Sequence, residues 1–377
     1  MTVPSSTPVT LAVDAMGADG GISVIADGLA IARSKGLDAH VKLYGREGEI
    51  KTALASRDIK GAPPTIHHMP DVISMEDKPT AALRRGRGSS MWAAIADVKE
   101  RSADAVISSG NTGALMAMSV LQLRMIEGID RPAITSIWPT KTGRTAVLDV
   151  GANVEATAKQ LVQFAIMGEA YFRALTGKQK PQVGILNVGA EELKGHDLIR
   201  KAADTLREAD PEMDFVGFIE GDDLTSGVVD VAVTDGFTGN IALKTAEGTA
   251  RMIGAWVKEA LTGSLLSKAG ALLMMPALKS LKEKMNPSHV NGAPLLGLNG
   301  LVIKSHGGAD AEGIAAALLV AQNLAQHPFQ EEISRTVAKV EAYAASHGSH
   351  IGEQGEDEAK ESDIDKTTSA KIEAAAE

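Results

Sequence analysis

The sequence contains no cysteine among its 377 residues. Disulfide bonds, thiolate metal sites and a cysteine nucleophile are therefore excluded. Aromatic residues make up only 3% of the chain, whereas glycine occurs 38 times. This composition favours an aliphatic core built from many short strand–helix units. No stripe of Lys and Arg with interleaved aromatics occurs, which argues against nucleic acid as a partner.

Acidic residues are concentrated near the C-terminus. Residues 347–377 contain nine Asp or Glu and three Lys, which gives −6 of the chain's formal charge of −10. Such a segment buries too little apolar surface to offset its ordering entropy, so we expect an acidic disordered tail there and one folded domain over residues 1–346. The first ten residues have neither a basic region nor an apolar run, which predicts a cytoplasmic protein without a signal peptide.

Short β-rich runs alternate with helical patterns along the body. Ile22, Ile25 and Leu29, for example, have the spacing of one helix face. This alternation predicts an α/β fold, a three-layer α/β/α sandwich with a mostly parallel sheet. The candidate strands are 10–14, 40–44, 105–108, 133–137, 146–150, 183–187, 215–219, 229–234 and 301–305.

Six of these strands lead into glycine-bearing turns that also carry polar residues. In open α/β sheets, ligands bind outside the carboxyl ends of the strands. Glycine lets backbone N–H groups approach an anion, and a following helix adds its N-terminal dipole. One such turn is ordinary connecting structure, but six of them predict a shared anion site at one edge of the sheet. The turns are 14–17, 108–113, 149–153, 187–189, 235–240 and 306–308.

Three residues in or near these turns have side chains suited to catalysis. Lys194 can neutralise a phosphate, the amide of Asn240 can stabilise an oxyanion, and His306 can donate a proton to a leaving group. Each also has a structural interpretation, because a lysine is often solvated, an asparagine often caps a helix and a histidine can brace a turn.

Carboxylates also follow apolar strands, at Asp14, Asp149 and Asp235. They could bind a divalent metal, or they could accept hydrogen bonds from backbone N–H groups in the turns, which the sequence favours. There is no Walker A pattern, no GxGxxG after the first strand and no zinc signature.

Residues 261–285 interrupt the alternation with an amphipathic hairpin. Its apolar run of about ten residues is too short for a bilayer span, which needs about 20. Pro276 is expected to divide the stretch into two short helices. A basic amphipathic hairpin suits a membrane surface or an acidic carrier protein, whereas the alternative is a dimer-packing or core helix pair. The expected contact residues are Leu265, Leu266, Lys268, Leu272, Leu273, Lys279 and Lys282.

Ordered motifs from residue 9 to about 330 closely resemble the bacterial phosphate acyltransferases of the PlsX family. They include AVDAMG from Ala12, SGNTGAL from Ser109, GIDRPA from Gly128, DVGANV from Asp149 and DGFTGN from Asp235. The segment Gly17-Ala18-Asp19-Gly20-Gly21 departs from the family pattern, and the acidic tail lies outside it.

The resemblance implies a homodimer with a fold similar to isopropylmalate dehydrogenases and phosphotransacetylases. It implies transfer of a long-chain acyl group from acyl carrier protein to inorganic phosphate, which yields acyl phosphate for phospholipid synthesis. No cofactor and no metal are expected. The family associates peripherally with the membrane, so the hairpin is expected to dock there, and a membrane glycerol-phosphate acyltransferase that receives the product is a candidate partner.

The resemblance and the residue chemistry together suggest roles. Phosphate is itself the nucleophile, so the protein must hold it against a thioester, and proximity alone can contribute ~7–11 kcal/mol. Lys194 is expected to bind the phosphate and Asn240 the oxyanion, while His306 or Lys304 assists the departing thiolate. The other expected phosphate or substrate contacts are Asp14, Gly17, Asn111, Thr112, Gly113 and Asn153.

Three alternatives remain open at the level of sequence. A metal- and NAD-dependent decarboxylating dehydrogenase would need a late aspartate cluster, which is not found. A phosphotransacetylase using coenzyme A would differ in its acyl donor. A membrane-surface scaffold that binds the carrier protein without chemistry would leave the six glycine turns unexplained.

Overall fold

A computed structural model of the chain describes residues 8–209, 213–278, 291–327 and 329–347. The expected three-layer α/β/α sandwich is confirmed, because one sheet of 11 strands lies between two helical layers. The expected acidic tail lies outside the described residues from residue 348 onward. The strands are β1 Val9–Asp14, β2 Ala39–Gly45, β3 Thr65–His68, β4 Ala105–Ser108, β5 Ala133–Pro139, β6 Arg144–Leu148, β7 Gln182–Leu186, β8 Asp214–Ile219, β9 Val231–Val233, β10 Ala293–Leu296 and β11 Leu301–Lys304.

The sheet is mostly parallel, but its strand direction reverses in the middle. The strand order is β3-β2-β1-β4-β11-β10-β5-β6-β9-β7-β8. Pairs are parallel from β3 to β11 and again from β6 to β8. Three successive antiparallel pairs, β11–β10, β10–β5 and β5–β6, separate the two parallel halves. Strands β6 to β9 therefore run opposite to β1, β4 and β11.

The expectation of a single glycine-turn edge is therefore wrong. The turns after β1, β4 and β11 lie at one edge of the sheet, and the turns after β6, β7 and β9 lie at the opposite edge. The reason is the short β5–β6 connection, because the four residues 140–143 can join antiparallel strands but not parallel ones.

Helices cover both faces of the sheet. Alternate residues of a strand point to opposite faces, so Leu11 and Val13 join one core and Ala12 the other. The helices in the described residues are α1 Gly21–Ser34, α2 Glu47–Ala55, α3 Pro79–Arg85, α4 Ser90–Lys99, α5 Thr112–Leu123, α6 Ala158–Thr176, α7 Asp197–Ala209, α8 Asp223–Ser226, α9 Gly236–Thr262, α10 Leu265–Leu273, α11 Ala311–Gln326 and α12 Gln330–His347.

The first core packs α1, α6, α7, α11 and α12 against the sheet, and the second packs α4, α5 and α8. Fully buried residues of the first core include Phe164 and Leu318, and those of the second include Met91 and Met118. Burying large apolar side chains such as these contributes about 1.5–3 kcal/mol each, which fixes the strand ends on which the polar turns sit.

Helix α9 extends beyond the body, because every residue from 249 to 260 is exposed. α10 follows after two residues and ends at Leu273, and helical turns resume at residue 275. The helix break therefore falls at Met274, two residues before Pro276, which lies in the resumed helical turns. None of the helices in the described ranges is both long and apolar enough to cross a bilayer.

Candidate functional site

The first candidate site, here called the Asp14 cluster, lies at the carboxyl ends of the adjacent strands β1, β4 and β11. These strands deliver their last polar residues to one place because they are parallel and in register, with Asp14 beside Ser108 and Ser108 beside Lys304. The cluster comprises Asp14, Ser90, Ser108, residues 109–113, Lys304 and His306.

Asp14 is buried at the end of β1 and serves as a hydrogen-bond acceptor. The Ser90 hydroxyl donates to it at 2.6 Å and the Ser108 hydroxyl at 2.7 Å, and the Met16 N–H donates at 3.2 Å. Burial raises the pKa of Asp14, and these hydrogen bonds offset part of that rise. Asp14 therefore lies behind the turn that it organises, and a direct contact with phosphate does not fit this geometry.

Lys304 brings a partly buried ammonium group to the cluster. Its Nζ donates to the backbone carbonyls of Ser109, at 3.3 Å, and Ser305. Burial lowers the pKa of Lys304 to about 8, although the negative charges of Asp19 and Asp14 raise it in part. The group is therefore charged at neutral pH and can attract an anion.

The turn before α5 is built around the side chain of Asn111. Its Oδ1 caps the helix by accepting from the Ala114 N–H at 3.0 Å. Its Nδ2 donates to the carbonyls of Ser74, Met75 and Asp77. The Asn111 side chain therefore anchors residues 74–77 and has no free hydrogen for a ligand, so the first amides of α5 carry the anion-binding capacity.

These first amides belong to Thr112 and Gly113, and helix geometry gives them no carbonyl partner within α5. Close packing surrounds them, since a Cβ on Gly113 would lie 2.8 Å from the Pro79 ring. A Cβ on Gly17 would lie 2.5 Å from the backbone nitrogen of Gly110. Gly17 therefore lets the 14–17 turn pack on the α5 turn and need not touch a ligand.

His306 lies exposed just after β11. Its Nδ1 accepts from the Gly308 N–H at 3.1 Å, and its own backbone N–H donates to Asn291 at 3.1 Å. An accepting Nδ1 places the proton of a neutral ring on Nε2. His306 can therefore offer an N–H donor to a ligand at this edge.

The second candidate site, here called the Asn240 cluster, lies at the opposite edge. It forms at the carboxyl ends of β6, β9 and β7, which are adjacent and parallel. Its residues are Asp149, Asn153, Asn187, Lys194 and Asn240.

Asp149 organises the turn after β6 and is completely buried. It accepts from the backbone N–H groups of Ile134, Gly151, Ala152 and Asn153 at 2.7–3.1 Å. The Asn153 side chain donates to Asp149 at 2.9 Å and to the Pro132 carbonyl at 2.8 Å. Burial raises the pKa of Asp149, and the backbone donors offset part of that rise. Asn153 is thus a structural part of the turn.

Asn240 lies exposed in the first turns of α9, which Asp235 caps through the Thr238 N–H at 2.7 Å. Its Nδ2 donates to the Val150 carbonyl at 3.1 Å, which leaves its second amide hydrogen for a ligand. The helix approaches the turn closely, because a Cβ on Gly239 would lie 1.9 Å from the Asp149 carbonyl oxygen.

Lys194 lies in the loop after β7, next to β9 in the sheet. Its side chain is 56% exposed and only loosely paired, with Nζ 3.9 Å from Glu191. The Asn187 side chain donates to the Lys194 carbonyl at 3.1 Å, while Asn187 Oδ1 is buried without a hydrogen-bond partner in the described residues. The loop therefore presents a largely unpaired ammonium beside the strand that leads to Asn240.

The structure thus divides the expected site residues into two groups. Asp14, Gly17, Lys304, His306 and residues 111–113 lie at one edge, and Asn153, Lys194 and Asn240 lie at the other. The sequence did not point to Ser90, because its partner Asp14 is distant in sequence, and it placed Asn187 in the turn 187–189 without indicating the bond to the Lys194 carbonyl. Within the described ranges, no group of three or more His, Asp or Glu side chains is placed to hold a metal ion.

The expected contact hairpin is exposed where the structure describes it. Leu272 and Leu273 are 68% and 85% exposed, and Lys268 is also exposed. Leu265 and Leu266 begin α10. Lys279 and Lys282 lie outside the described residues. Trp256 on α9 is 60% exposed, which adds to the apolar surface of this projecting part.

Sequence comparison relates the chain to acyl-transferring enzymes. The model of a family described as fatty acid synthesis protein matches residues 9–332. A phosphate acyltransferase of Caulobacter vibrioides is 50% identical over 353 residues, which cover 93% of this chain and 98% of that protein. A phosphate acyltransferase of Maricaulis maris is 51% identical over 337 residues, which cover 89% and 96%.

Solved structures share the fold at low sequence identity. A phosphotransacetylase of Streptococcus pyogenes is similar with a TM-score of 0.58 and 16% identity, covering 85% of this chain and 94% of that one. A phosphotransacetylase of Staphylococcus aureus gives a TM-score of 0.55 and 14% identity, covering 85% and 95%.

Proposed function

The chain belongs to the family of fatty acid synthesis proteins that includes these phosphate acyltransferases, and we propose that it transfers a long-chain acyl group from acyl carrier protein to inorganic phosphate. A phosphate oxygen attacks the thioester carbonyl, a C–O bond forms and the C–S bond breaks. The products are acyl phosphate and the carrier thiol. Acyl phosphate then serves as an acyl donor on the route to phosphatidic acid.

We place the reacting groups at the Asn240 cluster. The observation that carries this choice is the position of Lys194 and Asn240 beyond the ends of two hydrogen-bonded parallel strands, each with an unused donor. Lys194 neutralises the attacking phosphate. Asn240 donates its free amide hydrogen to the oxygen that becomes negative in the transition state, a contribution of typically about 2.7–4 kcal/mol.

The Asp14 cluster has the donors of a second anion site, namely the ammonium of Lys304, the Nε2–H of His306 and the first amides of α5. The sequence-based hypothesis assigned these donors to the reacting phosphate and the thiolate. Because strand direction separates them from Lys194, we assign them instead to the negatively charged prosthetic group of the acyl donor. Thr112 and Gly113 contribute through their backbone N–H groups.

The projecting part of the molecule supports two further proposals. Exposed Leu272 and Leu273, with Lys268 nearby, suit a contact with a membrane surface. The protein would then be cytoplasmic and peripherally attached to the membrane. There the glycerol-phosphate acyltransferase would receive the product. The exposed apolar positions of α9, including Trp256, suit a homodimer contact. Light scattering should then give a mass of twice 39.3 kDa.

The deciding experiment is a phosphate-dependent assay of carrier thiol release from long-chain acyl carrier protein. We expect release only when phosphate is present, with acyl phosphate formed in equal amount. Parallel reactions with acyl-coenzyme A test the phosphotransacetylase alternative, and parallel reactions with a chelator test for metal assistance. Carrier binding without any release would support the scaffold alternative instead.

A further inference from the structure

Four positive side chains form an exposed patch between residues 78 and 87. This segment, KPTAALRRGR, contains Lys78, Arg84, Arg85 and Arg87 and no acidic residue, and Glu76 and Asp77 directly precede it. All four are exposed, and none has an ion pair within the described parts of the chain. By contrast, the folded body is mildly negative, because the tail carries −6 of the chain's formal charge of −10 and residues 1–346 carry the remaining −4. The patch, here called the α3 patch, is therefore a positively charged region on a protein of negative net charge.

The α3 patch is held rigidly against the body. Ala82 is the buried residue of α3. A Cβ on Gly86 would lie 2.4 Å from the Met118 side chain on α5. The turn before the patch is fixed by the Asn111 amide, which donates to the Asp77 carbonyl at 2.9 Å. The four charges are therefore presented on a fixed surface, which lowers the entropy lost on binding.

The α3 patch also borders the Asp14 cluster. Pro79 packs against Gly113 at the start of α5. Arg87 lies three residues before Ser90, so the Cα atoms of Arg87 and Ser90 are within about 11 Å of each other. The Ser90 hydroxyl in turn donates to Asp14. A partner bound to the patch is thereby placed beside the start of α5, which belongs to the Asp14 cluster.

We propose that the α3 patch is the surface on which an acidic acyl carrier protein docks to present its thioester. This inference rests on the proposed function and identifies the partner surface for it. Arginine binds carboxylates in a bidentate way, and three of the four cations are arginines. An acidic partner is repelled by the negative body, so a local basic patch sets its orientation and raises its association rate.

Two other occupants fit the observations less well. The exposed leucines that suit a membrane surface lie on α10, and α3 itself contributes no large exposed apolar residue within the described ranges. The four charges also line an outward-facing helix and turn, whereas a free phosphate needs donors that converge. We therefore assign the hairpin to the membrane contact and the α3 patch to the carrier protein.

The test is the charge-reversed variant Arg84→Glu, Arg85→Glu, Arg87→Glu, assayed with long-chain acyl carrier protein. The KM for acyl carrier protein should rise about ten- to a hundredfold, as expected for lost steering. The kcat and the KM for phosphate should not change, and neither should the rate with an acyl N-acetylcysteamine thioester, which has no protein to dock. The wild-type KM should rise with salt, while that of the variant should hardly respond.

A matched control is Lys99→Glu, Lys141→Glu, Lys180→Glu, which changes the net charge equally at exposed sites elsewhere. It should retain the wild-type KM. The proposal is overturned if the arginine variant keeps its KM, if only the KM for phosphate rises, or if the small thioester is affected equally. Loss of binding to phosphatidylglycerol vesicles with an unchanged KM would also overturn it, in favour of a membrane contact.

Failure of the proposed function can be separated from failure of the docking surface. If the wild type releases no thiol from any donor, the transferase proposal fails, but titration with unacylated carrier protein still tests docking. Binding by the wild type that is weakened about tenfold or more in the arginine variant supports the α3 patch. Equal binding by both proteins contradicts it.

Discussion

The side-chain amide of Asn187 donates a 3.1 Å hydrogen bond to the carbonyl oxygen of Lys194. This bond ties the loop of Lys194 to the end of β7, so the ammonium emerges from a fixed point. A Cβ on Gly195 would lie 1.9 Å from Asn187 Oδ1, so only glycine allows the loop to pass this closely. Lys194 is thus an exposed side chain on a firmly anchored backbone, which is the arrangement expected of a binding group.

Replacing Lys194 with alanine should abolish most turnover without unfolding the protein. We expect kcat/KM to fall by about 10²–10³ because the charge facing the phosphate is lost. The free energy of unfolding should change by less than about 0.5 kcal/mol, because the side chain is mostly exposed. Lys180→Ala is the control, an exposed lysine outside both clusters. Near-normal activity of Lys194→Ala would remove Lys194 from the mechanism.

Replacing Asn240 with alanine should lower kcat more than it raises KM. The lost donor acts on charge that develops in the transition state, so a fall of about 10²–10³ in kcat is expected. The lost bond to the Val150 carbonyl should cost about 1 kcal/mol of stability. Thr249→Ala, farther along α9, should have neither effect. A rise in KM at unchanged kcat would instead assign Asn240 to ground-state binding.

The charge of Lys304 should appear in the pH dependence of substrate binding. Burial lowers the pKa of Lys304 to about 8, so the ammonium is charged below that pH and neutral above it. The KM for the acyl donor should therefore be flat below pH 8 and rise above it, approaching tenfold per pH unit. In Lys304→Gln, the KM should be high at every pH and this rise should vanish. An unchanged alkaline limb in the variant would contradict the assignment.

Asp149 should matter more for stability than a helix cap does. Asp149→Ala leaves buried backbone donors unpaired, which should lower the free energy of unfolding by more than about 3 kcal/mol. Asp235→Ala removes only the cap of α9 and should cost about 1 kcal/mol. Urea unfolding of both variants measures the difference. Equal losses would show that the 149–153 turn is no more than an ordinary loop.

The exposed leucines of α10 should govern attachment to membranes. Leu272→Glu with Leu273→Glu should weaken binding to phospholipid vesicles about tenfold or more, because apolar insertion is lost. Activity with soluble substrates should not change. The control is Leu121→Glu with Val228→Glu, two exposed apolar residues on the body. Sedimentation with vesicles measures binding, and equal behaviour of both double variants would contradict a hairpin contact.

The fold could be predicted from sequence because apolar strand runs and helical periodicity are local signals. All nine candidate strands occur, with ends shifted by up to two residues. Two of the 11 strands were overlooked, β3 and β10, each of only four residues. β10 also includes Pro294, which is unusual within a sheet. The reversal of strand direction could have been recognised, since only four residues separate Pro139 from Arg144 and a parallel crossover needs about a dozen.

The candidate site was predictable in residue type but not in contacts. Lys194, Asn240 and His306 each have an available donor, as their chemistry suggested. Asn111 was expected to bind phosphate, but its amide holds the carbonyls of residues 74–77, and no sequence pattern reports such a distant backbone partner. Strand direction also decides which turns share an edge, and it is indicated by the length of the β5–β6 connection rather than by the residues of the turns.

The continuous course of α9 has a mechanical consequence. Its 27 residues form one rod of about 40 Å, with Asn240 near its anchored end and the bare residues 249–260 toward the other. Because no break separates these parts, a displacement of the bare half would carry along the axis to the first turns, which hold Asn240.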